Sequence, residues 1–321
     1  MALSETGLIE RFFRGCGAQR ADVLLGIGDD AALMSVPAGY ELVATTDTLV
    51  AGVHFPYDSP PGSIGHRALA VNLSDIAAMG ARPAWALLAL TLPQADESWL
   101  TEFAAGLGGL AREHRVALVG GDTTQGPLCI TVQLLGVVAA GSAVRRGGGR
   151  AGDALFVSGT PGDAAAGLAL EQSRLEVPPE LRGYLRERFL LPTPRVALGE
   201  RLREFASACI DVSDGLLGDA GKLARASGVA AQLEFAALPV SAALQAAVGA
   251  ERARVLALSG GDDYELCFAV PAAHLPRLAA ELPPAVWGYT RIGSLVAGAG
   301  AAVVRDGTVM EFSHSGYQHF A

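Results

Sequence analysis

Little in this chain suits a zinc ribbon, a membrane or a polyanionic partner. Its four cysteines, Cys16, Cys129, Cys209 and Cys267, lie far apart with no CxxC pair. Each falls in or near an apolar segment and reads as a reduced core residue. No Cys/His cluster is present, which excludes a typical zinc site. The longest apolar run, residues 84–92, is far short of the roughly 20 residues that span a bilayer. Leu8-Ile9 gives way at once to Glu10-Arg11, so no signal peptide is expected. Charge is sparse at 18% of residues, and the net charge is −9. That balance argues against a nucleic-acid or anionic-membrane surface. The expectation is a soluble, cytoplasmic protein. Familiar nucleotide signatures are missing too. There is no GxxxxGK[ST], no HRD or DFG, and Gly147-Gly148-Gly149 is not a GxGxxG after a strand, so P-loop, protein-kinase and dinucleotide folds have no support. No nucleophile elbow or Ser/His/Asp ordering stands out.

What is present is ample core material, 50% hydrophobic over 321 residues, with 40 glycines. The length suggests two domains, and the glycines suggest tight turns or close backbone approaches to a ligand. Expected strands and helices alternate in both halves, which predicts an α/β or α+β protein. In the first half, helices are expected over residues 4–13 and 96–114 and through Asp75. Strands are expected over 22–27, 31–36, 42–46, 85–92, 116–119 and 129–138. The linker-like Arg145-Arg146-Gly147-Gly148-Gly149-Arg150 places the boundary there, giving domains 1–143 and 144–321. The second half is expected to carry strands at 154–158, 208–212, 264–270, 292–295 and 302–304. Helices are expected over 163–170, 195–204 and 215–226, and residues 174–194 read as polar turns.

The chemistry is suggested by acidic residues. Ile64, Ala68 and Val71 recur at helical spacing, and four residues on the series reaches Asp75, within about 20° of Ile64 on the wheel. A carboxylate on a buried stripe neutralises, pairs with a cation or binds metal; alternatively Ser74 or Asp75 caps a new helix. Asp29, Asp30, Asp47, Asp122, Asp211 and Asp214 fall at expected strand ends. Any one of them is an ordinary turn residue. Together, beside Thr46, Thr123, Ser213 and glycines, they form a hard-oxygen set that favours Mg²⁺. An acidic protein needs divalent cations to hold a nucleoside triphosphate. Glycine-rich strand ends offer N–H groups to phosphate oxygens. Arg146 adds a cationic contact, or is a solvated linker charge.

Six ordered motifs carry a resemblance: Gly26-Ile27-Gly28-Asp29-Asp30-Ala31-Ala32, Thr45-Thr46-Asp47-Thr48-Leu49-Val50, Asn72-Leu73-Ser74-Asp75-Ile76-Ala77-Ala78-Met79-Gly80, Gly120-Gly121-Asp122-Thr123-Thr124, Asp211-Val212-Ser213-Asp214-Gly215 and Ser259-Gly260-Gly261-Asp262-Asp263-Tyr264-Glu265-Leu266. In this order they resemble the thiamine-monophosphate kinase family of the aminoimidazole ribonucleotide synthetase superfamily, over nearly the whole chain. The resemblance implies a two-domain fold whose N-terminal half contributes strands to an intersubunit β-barrel of a homodimer, with the active site between the halves. It implies ATP-dependent phosphorylation of thiamine monophosphate to thiamine diphosphate. By motif, Asp30, Thr45, Thr46, Asp47, Asp75, Asp122, Asp211 and Asp214 resemble Mg²⁺ ligands. Gly121, Arg146 and Ser213 resemble ATP contacts, and His54, Asp262 and Tyr317 resemble substrate contacts. No residue is expected to act as nucleophile or base. Asp262 stands where Glu is frequent and Tyr317 where Trp is frequent; an anion and an aromatic face still suit a cationic thiazolium. The alternatives are a selenophosphate synthetase, a hydrogenase maturation factor, or a non-catalytic ATP/Mg²⁺ sensor. The first needs a reactive N-terminal Cys with a partner Lys, and the second a C-terminal Cys; this chain ends Phe320-Ala321.

Overall fold

The computed structural model describes residues 4–312 and 316–317. The chain divides into two compact units, Met1–Ile76 with Ala81–Ser142, and Ala77–Gly80 with Ala143–Ala321.

The first unit holds α1 (Glu5–Leu8), continued by a π-helical turn over Ile9–Phe13, then β1 (Val23–Leu25), β2 (Leu33–Met34) and β3 (Tyr40–Val50). It goes on through α2 (Pro61–Ala78), β4 (Arg82–Leu92), α3 (Glu97–Glu113), β5 (Ala117–Gln125) and β6 (Cys129–Ala139). Four strands form a sheet in the order β3-β6-β4-β5, with β4 parallel to β5 and the other pairs antiparallel. Two expected strands were too short. β3 runs three residues past Asp47 because Thr48, Leu49 and Val50 stay in ladder register with Thr131, Ile130 and Cys129. β5 likewise carries Gly120 to Gln125 alongside β4. Asp47 and Asp122 therefore lie within strands, not in loops. Pro83 is also inside β4. The stripe Ile64, Ala68, Val71 is buried at 1–3% exposure, and burying a side chain such as Ile64 or Val71 contributes about 1.5–3 kcal/mol. α2 ends in a Schellman pattern: Ala81 N–H donates to Ile76 O and Gly80 N–H to Ala77 O, with Gly80 at φ +63°, a conformation glycine adopts without strain. Asp75 thus sits in the last turns of one continuous helix and caps nothing.

The second unit opens with β7 (Ala154–Ser158), α4 (Asp163–Glu171), α5 (Pro179–Leu190), α6 (Val196–Leu202), β8 (Ala208–Val212), α7 (Leu216–Ser227) and β9 (Ala230–Glu234). It continues through α8 (Ala242–Val248), α9 (Ala250–Ser259), β10 (Glu265–Val270), α10 (Leu275–Glu281), α11 (Pro284–Trp287), β11 (Tyr289–Val296), β12 (Gly300–Arg305) and β13 (Thr308–Met310). Its seven-stranded sheet has the order β13-β12-β9-β11-β7-β10-β8, antiparallel except for β12 with β9. With mostly antiparallel sheets, the α/β or α+β expectation resolves to α+β. The polar stretch 174–194 is not only turns: it contains α5, whose Leu185 and Phe189 are fully buried. β10 is buried at every residue, since it lies between β7 and β8. Its faces are covered by the α7 residues Leu216, Ala220 and Leu223 on one side and by the Phe156–Phe268–Tyr289 ring cluster on the other. All four cysteines are free thiols, three of them buried and Cys129 half-buried. No helix among the described residues is long and apolar enough to cross a membrane.

Candidate functional site

In the first unit, Asp30, Thr46, Gly121 and Asp122 line one cavity of about 820 Å³. Its floor is the sheet face carrying Thr131 and Gln133, and its walls include the apolar Ile9, Phe13, Ile27 and Met34. Asp29 accepts the Asp30 N–H at 2.8 Å, as a turn residue does, and both carboxylates are exposed at the cavity. Gly121 needs no ligand to explain it. At φ +146°, a Cβ there would lie 1.8 Å from Leu88 O, so β5 can approach β4 this closely only with glycine at that position.

Strand periodicity turns Thr45 and Asp47 away from Thr46. Thr45 Oγ1 donates to Asp75 Oδ2 at 2.5 Å, which puts Thr45, Asp47 and Asp75 together on the α2 side of β3. Burial, and after it the Asp75 charge, pushes the Asp47 carboxyl up to about 6. Two neighbouring carboxylates, with a hydroxyl bonded to one of them, are a hard-oxygen set that a divalent cation suits. Among the described residues no three His, Cys, Asp or Glu side chains converge on one point. Mg²⁺ commonly uses one or two protein carboxylates and completes its shell with water and phosphate, so the residues present fit it. In the same unit, Val50 N–H donates to His54 Nδ1 at 3.0 Å, which leaves the proton of a neutral ring on Nε2.

In the second unit the expected residues meet around one loop, 213–215, between β8 and α7. Asp211 is buried in β8. Ser213 O accepts the Asp262 N–H at 2.8 Å, and Asp214 O accepts the Tyr317 N–H at 2.9 Å. Ser213, Asp214, Asp262 and Tyr317 are therefore joined through backbone hydrogen bonds. Asp262 holds φ +71°, and the ring of Tyr317 is half exposed. The backbone of Arg146 lies at the far end of α7, where Ser227 Oγ donates to its carbonyl at 3.4 Å. A helix of 12 residues spans about 18 Å. The loop also departs from the phosphate-cradle expectation. The N–H groups of Ser213, Asp214 and Gly215 all donate to Asp219 Oδ2, at 3.1, 3.0 and 3.2 Å. An internal carboxylate occupies that anion nest, so an ATP contact from Ser213 would use its hydroxyl.

Sequence reasoning missed several residues. Lys222 Nζ donates to Asp214 Oδ2 at 2.5 Å and Asp219 Oδ1 at 2.8 Å. Burial works to lower its pKa, but the hydrogen bonds to Asp214 and Asp219 prevail and raise it, so it is an ammonium and not a base. Glu265, fully buried, accepts from Arg195 Nε and Nη2 at 2.6 Å each, Arg188 Nη2 at 2.8 Å and Ser158 Oγ at 2.5 Å. Asp263 accepts the Gly162 and Ala164 N–H groups at 2.6 and 3.2 Å. Glu265 and Asp263 lay in a quoted motif, but their partners are about 70 to 100 residues away and no local pattern announces them.

Residues 28–138 match the family described as AIR synthase related protein, N-terminal domain, and residues 150–306 match its C-terminal domain. The chain is similar to the thiamine-monophosphate kinases of Salmonella typhimurium (48% identity) and Escherichia coli K12 (47%), each match covering all of this chain and 99% of the relative. Among solved structures it is similar to a thiamine-monophosphate kinase from Stenotrophomonas maltophilia K279a, with a TM-score of 0.85 and 49% identity over 97% of this chain and 99% of that one. It is also similar to AaThiL complexed with AMPPCP and TMP, with a TM-score of 0.78 and 33% identity over 98% and 97% of the two chains.

Proposed function

The chain belongs to the thiamine-monophosphate kinase family of AIR synthase related proteins, and from that premise we propose that it transfers the γ-phosphoryl group of ATP to thiamine monophosphate, giving thiamine diphosphate and ADP. The observation that carries this reading is full-length similarity to kinases of that name, one relative being complexed with AMPPCP and TMP. This is the closing step of thiamine diphosphate synthesis, and four free thiols suit the reducing cytoplasm.

On the first unit, Asp30, Asp122 and Thr46 would hold Mg²⁺ at the cavity, and Asp47, Asp75 and Thr45 on the α2 side of β3. On the second, Asp211 and Asp214 would do so. When bound, the metal supplies charge neutralisation between two anionic phosphates. Gly121, Arg146 and Ser213 are assigned to ATP, and His54, Asp262 and Tyr317 to thiamine monophosphate. His54 would donate from Nε2, and Asp262 and Tyr317 would give the thiazolium a counter-charge and an aromatic face. The acceptor is already a phosphate anion and needs no general base. Lys222 is held as an ammonium between two carboxylates, so Ser213 has no base at hand to make it a nucleophile. Transfer is therefore direct and in line. We assign the working form as a homodimer with an intersubunit barrel; the exposed Leu24, Leu25, Leu33 and Leu42 of the first unit are apolar surface that a second copy would cover.

The test is ADP release on adding thiamine monophosphate to enzyme, ATP and Mg²⁺, with thiamine diphosphate identified by chromatography. ADP release indifferent to the acceptor, or none with it, would overturn the reading.

A further inference from the structure

The 213–215 loop joins four assigned residues of the second unit mechanically. It accepts the backbone N–H groups of Asp262 and Tyr317 and carries Ser213 and Asp214. What fixes the loop is a pair of side chains with no assigned role. Asp219 is 1% exposed and takes all three loop N–H groups on Oδ2. Its Oδ1 takes Lys222, which reaches on to Asp214. Lys222 is the only lysine in the chain, which has 23 arginines. A compact ammonium with three donors can sit between two carboxylates 2.5 and 2.8 Å away, where a planar guanidinium fork fits less well.

We propose that Asp219 and Lys222 are positioning residues for phosphoryl transfer: Asp219 fixes the loop to which the backbones of Asp262 and Tyr317 are hydrogen-bonded, and Lys222 fixes the carboxylate of Asp214. The inference rests on the functional reading above, because its consequence is read in the kinase reaction. Asp219 acts through three backbone amides, so it governs both the Asp214 end and the thiamine end of the unit. Lys222 bonds Asp214 and the Oδ1 of Asp219, and the three loop amides stay on Oδ2.

The experiment compares Lys222→Met, Lys222→Arg and Asp219→Asn with wild type by kcat, by separate KM values for ATP and thiamine monophosphate, and by hydrogen exchange of the 213–215 amides. Removing an outer partner of a ligand costs about 10–100-fold in activity. Lys222→Met should lose that much in kcat with little change in the KM for thiamine monophosphate. Lys222→Arg should fall between it and wild type. Asp219→Asn places an amide NH₂ toward the ammonium; it should lower kcat, raise the KM for thiamine monophosphate and speed exchange at 213–215. If Asp219→Asn does not fold, Lys222→Met decides alone. Wild-type kcat and KM values in Lys222→Met, even with a lowered Tm, would make the pair merely structural and overturn the proposal. A wild type inactive toward thiamine monophosphate would instead overturn the functional reading, which the exchange measurement does not depend on.

Discussion

Replacing Glu265 with Gln removes a charge from a fully buried ionic site in the second unit while keeping the shape of the side chain. Glu265 is 0% exposed, and its partners Arg188 and Arg195 keep 12% and 29% of their side-chain surface. With the carboxylate gone, Arg195 loses its counter-charge and Arg188 keeps the more distant Asp163, 4.0 Å away. Breaking a buried pair from one side costs about 3–5 kcal/mol; the partial exposure of Arg195 places the cost toward the lower end. For a unit of this size each kcal/mol moves the midpoint by about 2–4 °C, so the second unit's transition should fall by roughly 6–12 °C at pH 7. The dependence on pH has a definite sign. Burial pushes the Glu265 carboxyl up, but the Arg195 hydrogen bond, the charges of Arg195 and Arg188 and the Ser158 hydroxyl together bring it below its ordinary 4.5. A depressed carboxyl stabilises fully above its unfolded value and loses that contribution as pH falls through the folded one. The wild-type advantage over Glu265→Gln should therefore be constant above about pH 5 and shrink progressively below 4.5. Circular dichroism melts of both proteins from pH 3.5 to 7 measure it. A loss under 2 °C at pH 7, or a gap that does not narrow in acid, would refute the reasoning.

Asp47→Asn, Asp75→Asn and Asp122→Asn should each abolish Mg²⁺-dependent turnover with little change in Tm, since the first two relieve a repulsion and the third is exposed; a large Tm loss with activity retained would make them structural residues. Tyr317→Ala should raise the KM for thiamine monophosphate about two- to thirty-fold, the range of a cation–π contact of roughly 0.5–2 kcal/mol, and leave that for ATP alone; equal effects would assign Tyr317 to packing. Chirally labelled γ-phosphate should emerge inverted, and ADP/ATP exchange should require thiamine monophosphate; retention of configuration would point to a covalent intermediate.

The order of the acidic motifs, the buried stripe leading to Asp75 and the apolar strands 154–158 and 208–212 were legible in the sequence. Their determinants are local: side-chain periodicity, β-branched runs and glycine at turns. Strand ends were not. Asp47 and Asp122 read as loop residues because Asp and Gly disfavour strands in isolation, yet ladder pairing with β6 and β4 carries both strands through them. The grouping of the carboxylates was equally out of reach. One alternation along β3 sends Thr46 to the cavity and Thr45 and Asp47 to α2, and only the pairing of β3 with its neighbours decides which face is which. The same holds for the anchors of the second unit. Asp219 looks like an ordinary first-turn acid of a helix, and Glu265 like the end of a motif. What makes one the filling of an anion nest and the other the counter-ion of two arginines is the approach of segments distant in sequence, fixed by burial of the sheet between them.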